Sequence, residues 1–159
     1  MSTLRRIVAT GTTMLAIGAL CAAPASADTT VRDTSAGDLT VTSATPSSGQ
    51  LERQAAAFWN PGISLDQKVA VSRGGAKARP ALAKVMEFSK VYDFLSAKAR
   101  VNGVSVKGDT ATATMSAVVV GFPANTATYH YVREGGLWKF DWKANCQSMS
   151  CTGNPNFGY

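Results

Sequence analysis

The sequence predicts an α+β domain in which about three N-terminal helices pack on one face of a curved four-stranded antiparallel sheet. Three observations carry this. Up to about residue 90 the apolar residues recur at helical spacing. From Phe94 onward the period drops to two and β-branched residues take over. Gly108-Asp109 and Gly135-Gly136 then supply tight turns between the later segments. Helices first and strands second is the order of an α+β fold, not of alternating βαβ units.

Ahead of the domain, Arg5 and Arg6, an apolar core over residues 14–23 and the small-residue run Ala25-Ser26-Ala27 before Asp28 make residues 1–27 a secretory signal peptide. An apolar run of about ten residues is half of what a bilayer-spanning helix needs, so no transmembrane segment is expected in the mature form. Cys21 follows Leu20, where acylation after cleavage needs a small residue, so it is expected to leave with the signal. Residues 28–45 are rich in Thr, Ser, Ala and Asp without apolar periodicity, which predicts a flexible leader. The domain proper is expected over 46–145 and a C-terminal tail over 146–159.

Thr45 suits a helix N-cap and Pro46 the first helical position. Leu51, Ala55, Phe58 and Trp59 then form one apolar helical face, and Asn60-Pro61-Gly62 stops it. Ser64 with Gln67 is a capping box for a second, short helix with Leu65 and Val69 inward, ended by Arg73-Gly74-Gly75. A third helix is predicted over residues 79–90, with Leu82, Val85, Met86 and Ser89 facing inward and Lys84, Glu87 and Lys90 outward.

The first strand is expected over residues 95–106 with a bulge at Asn102-Gly103. The second, over 110–121, alternates Ala111, Ala113, Met115, Ala117 and Val119 with Thr112, Thr114 and Ser116. The third runs over 126–134. The fourth puts Trp138, Phe140 and Trp142 on one face and Lys139, Asp141 and Lys143 on the other.

Without the signal, 132 residues remain, enough for one domain with its own core. Loss of Arg5 and Arg6 lowers the formal net charge from +6 to +4. Nine basic residues from Lys68 to Lys107 face only Glu87 and Asp93. This basic middle, with Lys77, Arg79, Lys84 and Lys90 as its expected surface, would in an exported chain meet anionic envelope lipids, acidic glycans or an extracellular protein instead of nucleic acid. Cys146 and Cys151 remain in an oxidising compartment, so a disulfide pinning the tail is expected. Two cysteines and His130 are too few for a zinc site, and no metal or cofactor is expected.

The run Trp59-Asn60-Pro61-Gly62-Ile63-Ser64 to Lys68 and Arg73-Gly74-Gly75, then Ala111-Thr112-Ala113-Thr114 and Gly135-Gly136-Leu137-Trp138-Lys139, resembles the C-terminal domain of the mycobacterial low-molecular-weight secreted antigens over about residues 46–149. The resemblance implies an actinobacterial exported or wall-associated protein with a cystatin-like or nuclear-transport-factor-like cone. It implies no established chemistry and no catalytic residues. Cys146, Cys151 and the Asn-Pro-Asn-Phe-Gly-Tyr ending depart from it.

Enzymes on such a cone use a cavity carboxylate with a His or Tyr. Asp93, Tyr129, His130, Tyr131 and Asp141 are the local candidates, but alternation puts His130 on the face opposite both tyrosines, and no catalytic set is assigned. Arg73-Gly74-Gly75-Ala76-Lys77 lacks P-loop spacing and a preceding strand. Trp138, Phe140 and Trp142 read first as core and second as the lining of an apolar pocket that Tyr129 and Tyr131 would extend. The expectation is a secreted or envelope-associated, non-enzymatic binding protein. A carrier of a small apolar ligand and a cavity isomerase or dehydratase are the alternatives.

Overall fold

Strands β1 (Thr29–Thr30), β2 (Lys98–Lys107), β3 (Thr110–Val118), β4 (Asn125–Glu134) and β5 (Leu137–Phe140) form one sheet in sequence order, each antiparallel to the next. Helices α1 (Ser48–Trp59), α2 (Leu65–Ala70) and α3 (Gly75–Val91) precede the long strands, and α4 (Trp142–Ser148) follows them. This computed structural model describes residues 28–148, apart from the side chains of Val85 and Phe88. The α+β architecture is the one predicted, with a fifth strand added by β1 and the sheet curled into a half-barrel.

Residues 28–45, expected to be a flexible leader, are folded against the domain. Val31, Leu39 and Val41 are buried, β1 pairs with Ala99 and Lys98, and Asp28 lies 2.5 Å from Arg100. Three widely spaced apolar residues give no periodic signal, yet Leu39 and Val41 join the main core and Val31 the smaller cluster around Phe94 and Ala97. The Val41 carbonyl also accepts from the Trp138 N–H, covering the β5 edge.

The start of α1 differs from expectation by two residues. Ser47, not Thr45, is the cap: its hydroxyl accepts from the Gln50 N–H at 3.2 Å while the Gln50 side chain accepts from the Ser47 N–H at 2.9 Å. The Ser64–Gln67 box starts α2 as predicted, and the helix ends at Ala70, ahead of Arg73-Gly74-Gly75. Helix α3 begins one turn earlier than predicted, so Gly75 is its first residue and only residues 71–74 separate it from α2. A Cβ on Gly75 would sit 2.2 Å from the Val69 carbonyl oxygen, and this contact lets α3 start directly against α2. Further along, Leu82, Met86 and Ser89 are buried as predicted and Lys84, Glu87 and Lys90 are exposed.

The bulge in β2 lies where the register slips between Val101 and Gly103. Glu52 of α1, 2% exposed, closes it by accepting from the Val101 N–H at 2.9 Å and from the Thr29 hydroxyl at 2.6 Å. Gly135 and Gly136, with φ of 59° and 81°, make the tight turn from β4 to β5. The last strand is shorter than expected. Asp141 accepts from the Ala144 N–H and caps α4, so Trp142 starts a helix instead of continuing the strand.

Candidate functional site

The inner face of the sheet is filled at one end and hollow at the other, and side-chain size decides which. Across β3, β4 and β5 the row Ala111–Tyr131–Phe140 packs with Trp138 under Leu51, Phe58 and Leu82. Across β2, β3 and β4 the corresponding row is Ala99–Ala117–Asn125, with Ala97 and, on α1, Ala56 facing it. Four alanines cannot reach across the gap that aromatics close elsewhere. The result is a half-open cavity of about 410 Å³.

Its walls are Val31, Val119, Phe122, Pro123 and the stacked pair Trp59 and Phe94, whose ring centroids are 5.5 Å apart. Polar groups are few. The Trp59 indole N–H donates to the Tyr129 hydroxyl, whose pKa burial pushes up, and Asn125 stands at the rim. Lys98 contributes to the wall between buried Ala97 and Ala99, but it is itself exposed, as strand alternation requires of a side chain on the outer face. Among the described residues no carboxylate or imidazole lines the cavity.

Of the aromatics expected to line a pocket, Tyr129 alone does so. Tyr131, Trp138 and Phe140 are core, at 2%, 0% and 2% exposure, and Trp142 packs against Phe58 and Phe140 at their edge. Their bulk fills that end of the sheet, which is the core reading of Trp138, Phe140 and Trp142 and not the pocket reading. The true pocket left a fainter trace, small residues recurring at inward strand positions 97, 99 and 117.

Candidate proton-transfer groups are dispersed. Asp93 is held below the ordinary carboxylate range, chiefly by its hydrogen bonds to Ser96. Asp141 is 2.8 Å from Arg73 and caps α4. The Tyr131 phenol is fully buried with no hydrogen-bond partner among the described residues, and burial drives its pKa well up. The main chain of His130 is clamped by the Asn145 amide, whose oxygen accepts from its N–H at 2.7 Å and whose nitrogen donates to its carbonyl at 3.1 Å.

The basic residues Lys77, Arg79, Lys84 and Lys90 are all exposed on α3, away from the cavity walls, and Arg79 is paired with Asp66. A second, open depression lies among Arg73, Gly74, Lys77, Asp141 and Lys143, where Arg73 is engaged by Asp141 and by Glu134 at 3.2 Å. Lys68, counted with the basic middle, is instead fully buried; its Nζ donates to the Asn60 carbonyl and lies 2.6 Å from Met86 Sδ. Burial pulls its pKa down to about 8.

Asn60 is the hub of this region. Its amide nitrogen donates to the carbonyls of Val31 and Thr34, and its side-chain oxygen accepts from the Gly62 N–H. The Asn-Pro-Gly break therefore joins the N-terminal segment, α1 and α2. Cys146 is buried in α4, whereas Cys151 and the expected cleavage positions Ala25 and Ala27 lie outside the described residues.

No curated protein and no solved structure matches the chain. A family model does, over residues 44–156, a span that takes in α1 to α4, the four long strands and the Asn60 hub. On that match the chain belongs to the family of the low molecular weight antigen MTB12, C-terminal domain.

Proposed function

We propose that this protein is an exported, non-enzymatic binding protein that holds a small, neutral, apolar ligand in the cavity between α1 and the alanine-lined end of the sheet. The observation that carries the proposal is the cavity itself: about 410 Å³, walled by aromatic and aliphatic side chains, with Asn125 and the Tyr129 hydroxyl as its inward polar groups. Ligand sites of this size are mostly apolar with a few convergent polar groups that orient the ligand. Among the described residues these walls carry no inward charged side chain, which favours an uncharged ligand because a buried ion needs a partner. A proton-transfer role finds no support in the described lining, where Tyr129 is the titratable side chain facing inward and its pKa is raised.

Export is supported by the signal-like residues 1–27, and the same compartment would join Cys146 to Cys151. The envelope is the natural place for a protein that handles apolar molecules.

Ala117→Phe tests the binding site, since its ring would occupy the cavity without touching the filled core. Titration with the neutral fluorescent probe N-phenyl-1-naphthylamine should give saturable binding to the native chain and at least about tenfold weaker binding to the variant, with an unchanged melting temperature. Equal binding by the two would remove the cavity from the account.

A further inference from the structure

The large apolar side chains that the described residues leave exposed are not scattered. Val91, Tyr92 and Leu95 lie at and just after the end of α3, and Val118, Val120 and Phe122 at the end of β3 and in the turn after it. The two segments meet, with the Tyr92 and Phe122 rings edge to face at 5.0 Å. Each also supplies walls of the cavity, Phe94 from the first and Val119 and Phe122 from the second. They border the pocket mouth as a lip, with Val118 on the outer face of the sheet beside Lys98. Val91 at 77% and Val120 at 64% exposure are a standing cost in water, and contiguous apolar surface of this kind marks an interaction site.

We propose that this lip docks the protein on a lipid surface bearing anionic headgroups, with the pocket opening onto the hydrocarbon. Two features select a lipid surface. The first is composition: aromatic rings among aliphatic side chains, flanked by lysines, is the makeup of a membrane-interface anchor. Lys90 precedes Val91, and Lys98 stands opposite Val118 in the sheet register; both are exposed. Of the nearby acids, Asp93 is ionised but is offset by Arg32, which bonds the same Ser96 hydroxyl and joins Ser96 in lowering the Asp93 pKa, and Glu87 lies about a turn back on α3. The second is continuity. Among the described residues the apolar walls run without a charged inward side chain from the cavity to the exposed lip, so a hydrocarbon molecule could pass from bilayer to pocket without crossing water.

The test is flotation of the mature chain with vesicles of phosphatidylcholine, alone or mixed with phosphatidylglycerol. The native protein should float with the mixed vesicles, less so as salt is raised. Val120→Asp and Phe122→Ser, both at exposed positions that leave the core intact, should each weaken binding about tenfold or more. Lys90→Glu with Lys98→Glu should remove the preference for anionic vesicles and the salt dependence. Ala117→Phe should float as the native chain does, which separates docking from pocket occupancy: docking would stand even if the cavity bound nothing. Absence of flotation, or flotation indifferent to Val120→Asp, would overturn the proposal. So would a concentration-dependent doubling of mass in vesicle-free solution that Val120→Asp abolishes while flotation is absent, since the lip would then serve a second copy of the chain.

Discussion

Lys68 is the residue whose setting most departs from its chemistry. A flexible cation that ordinarily stays in water is fully buried here, bonded to a neutral carbonyl and a thioether, and among the described residues no carboxylate pairs with it. Because its folded pKa of about 8 lies below the ordinary 10.5, the unfolded chain binds more protons between those values. The penalty for burying the charge is therefore present below pH 8, and stability rises as pH climbs from 8 towards 10.5. Relative to Lys68→Met, which carries no titrating group there, the native chain should gain on the order of 2 to 3 kcal/mol across that window. Denaturant unfolding of both proteins at pH 7 and pH 10 measures this. Parallel pH dependence in the two would mean that the amine is solvated.

At the scale of elements, glycine position gives the sharpest contrast. Gly75 starts α3 with Val69 Cγ1 2.9 Å from where a Cβ would lie and the Val69 carbonyl oxygen closer still, whereas Gly49, in the first turn of α1, has open space around it. Gly75→Ala should destabilise by about 1 to 3 kcal/mol because α2 and α3 must part. Gly49→Ala should stabilise by up to about 1 kcal/mol through helix propensity alone. Thermal melts of the two variants moving in the same direction would contradict this packing. The same elements show what a sequence exposes. The Ser64–Gln67 box, the Val101–Gly103 bulge and the Gly135-Gly136 turn are local devices, and each was legible. The packing of residues 28–45 was not, because Val31, Leu39 and Val41 act through distant contacts with no period of their own. Nor was the helical turn from Trp142, because the alternation of Trp138, Phe140 and Trp142 outweighed the capping capacity of Asp141.

Over the whole molecule, function is argued from a gradient of side-chain size along one curled sheet. The aromatics that draw the eye in the sequence are the core that makes the sheet rigid, and the alanines that carry no chemical signal leave the space. Bulk is visible in a sequence and missing bulk is not, which is why only Tyr129 among the expected pocket residues lines the cavity. The basic face on α3 was legible as exposed surface because charge alternates with buried Leu82, Met86 and Ser89 at helical spacing. The most direct test of the central claim is the mass of the exported protein, purified from the organism that makes it, under native and then denaturing, non-reducing conditions. The expected result is a chain beginning at Asp28, lacking the two thiol hydrogens of Cys146 and Cys151, that carries a neutral apolar adduct released on denaturation and absent from Ala117→Phe. The same mature chain with no adduct, or with an equal adduct on Ala117→Phe, would contradict a ligand-holding pocket.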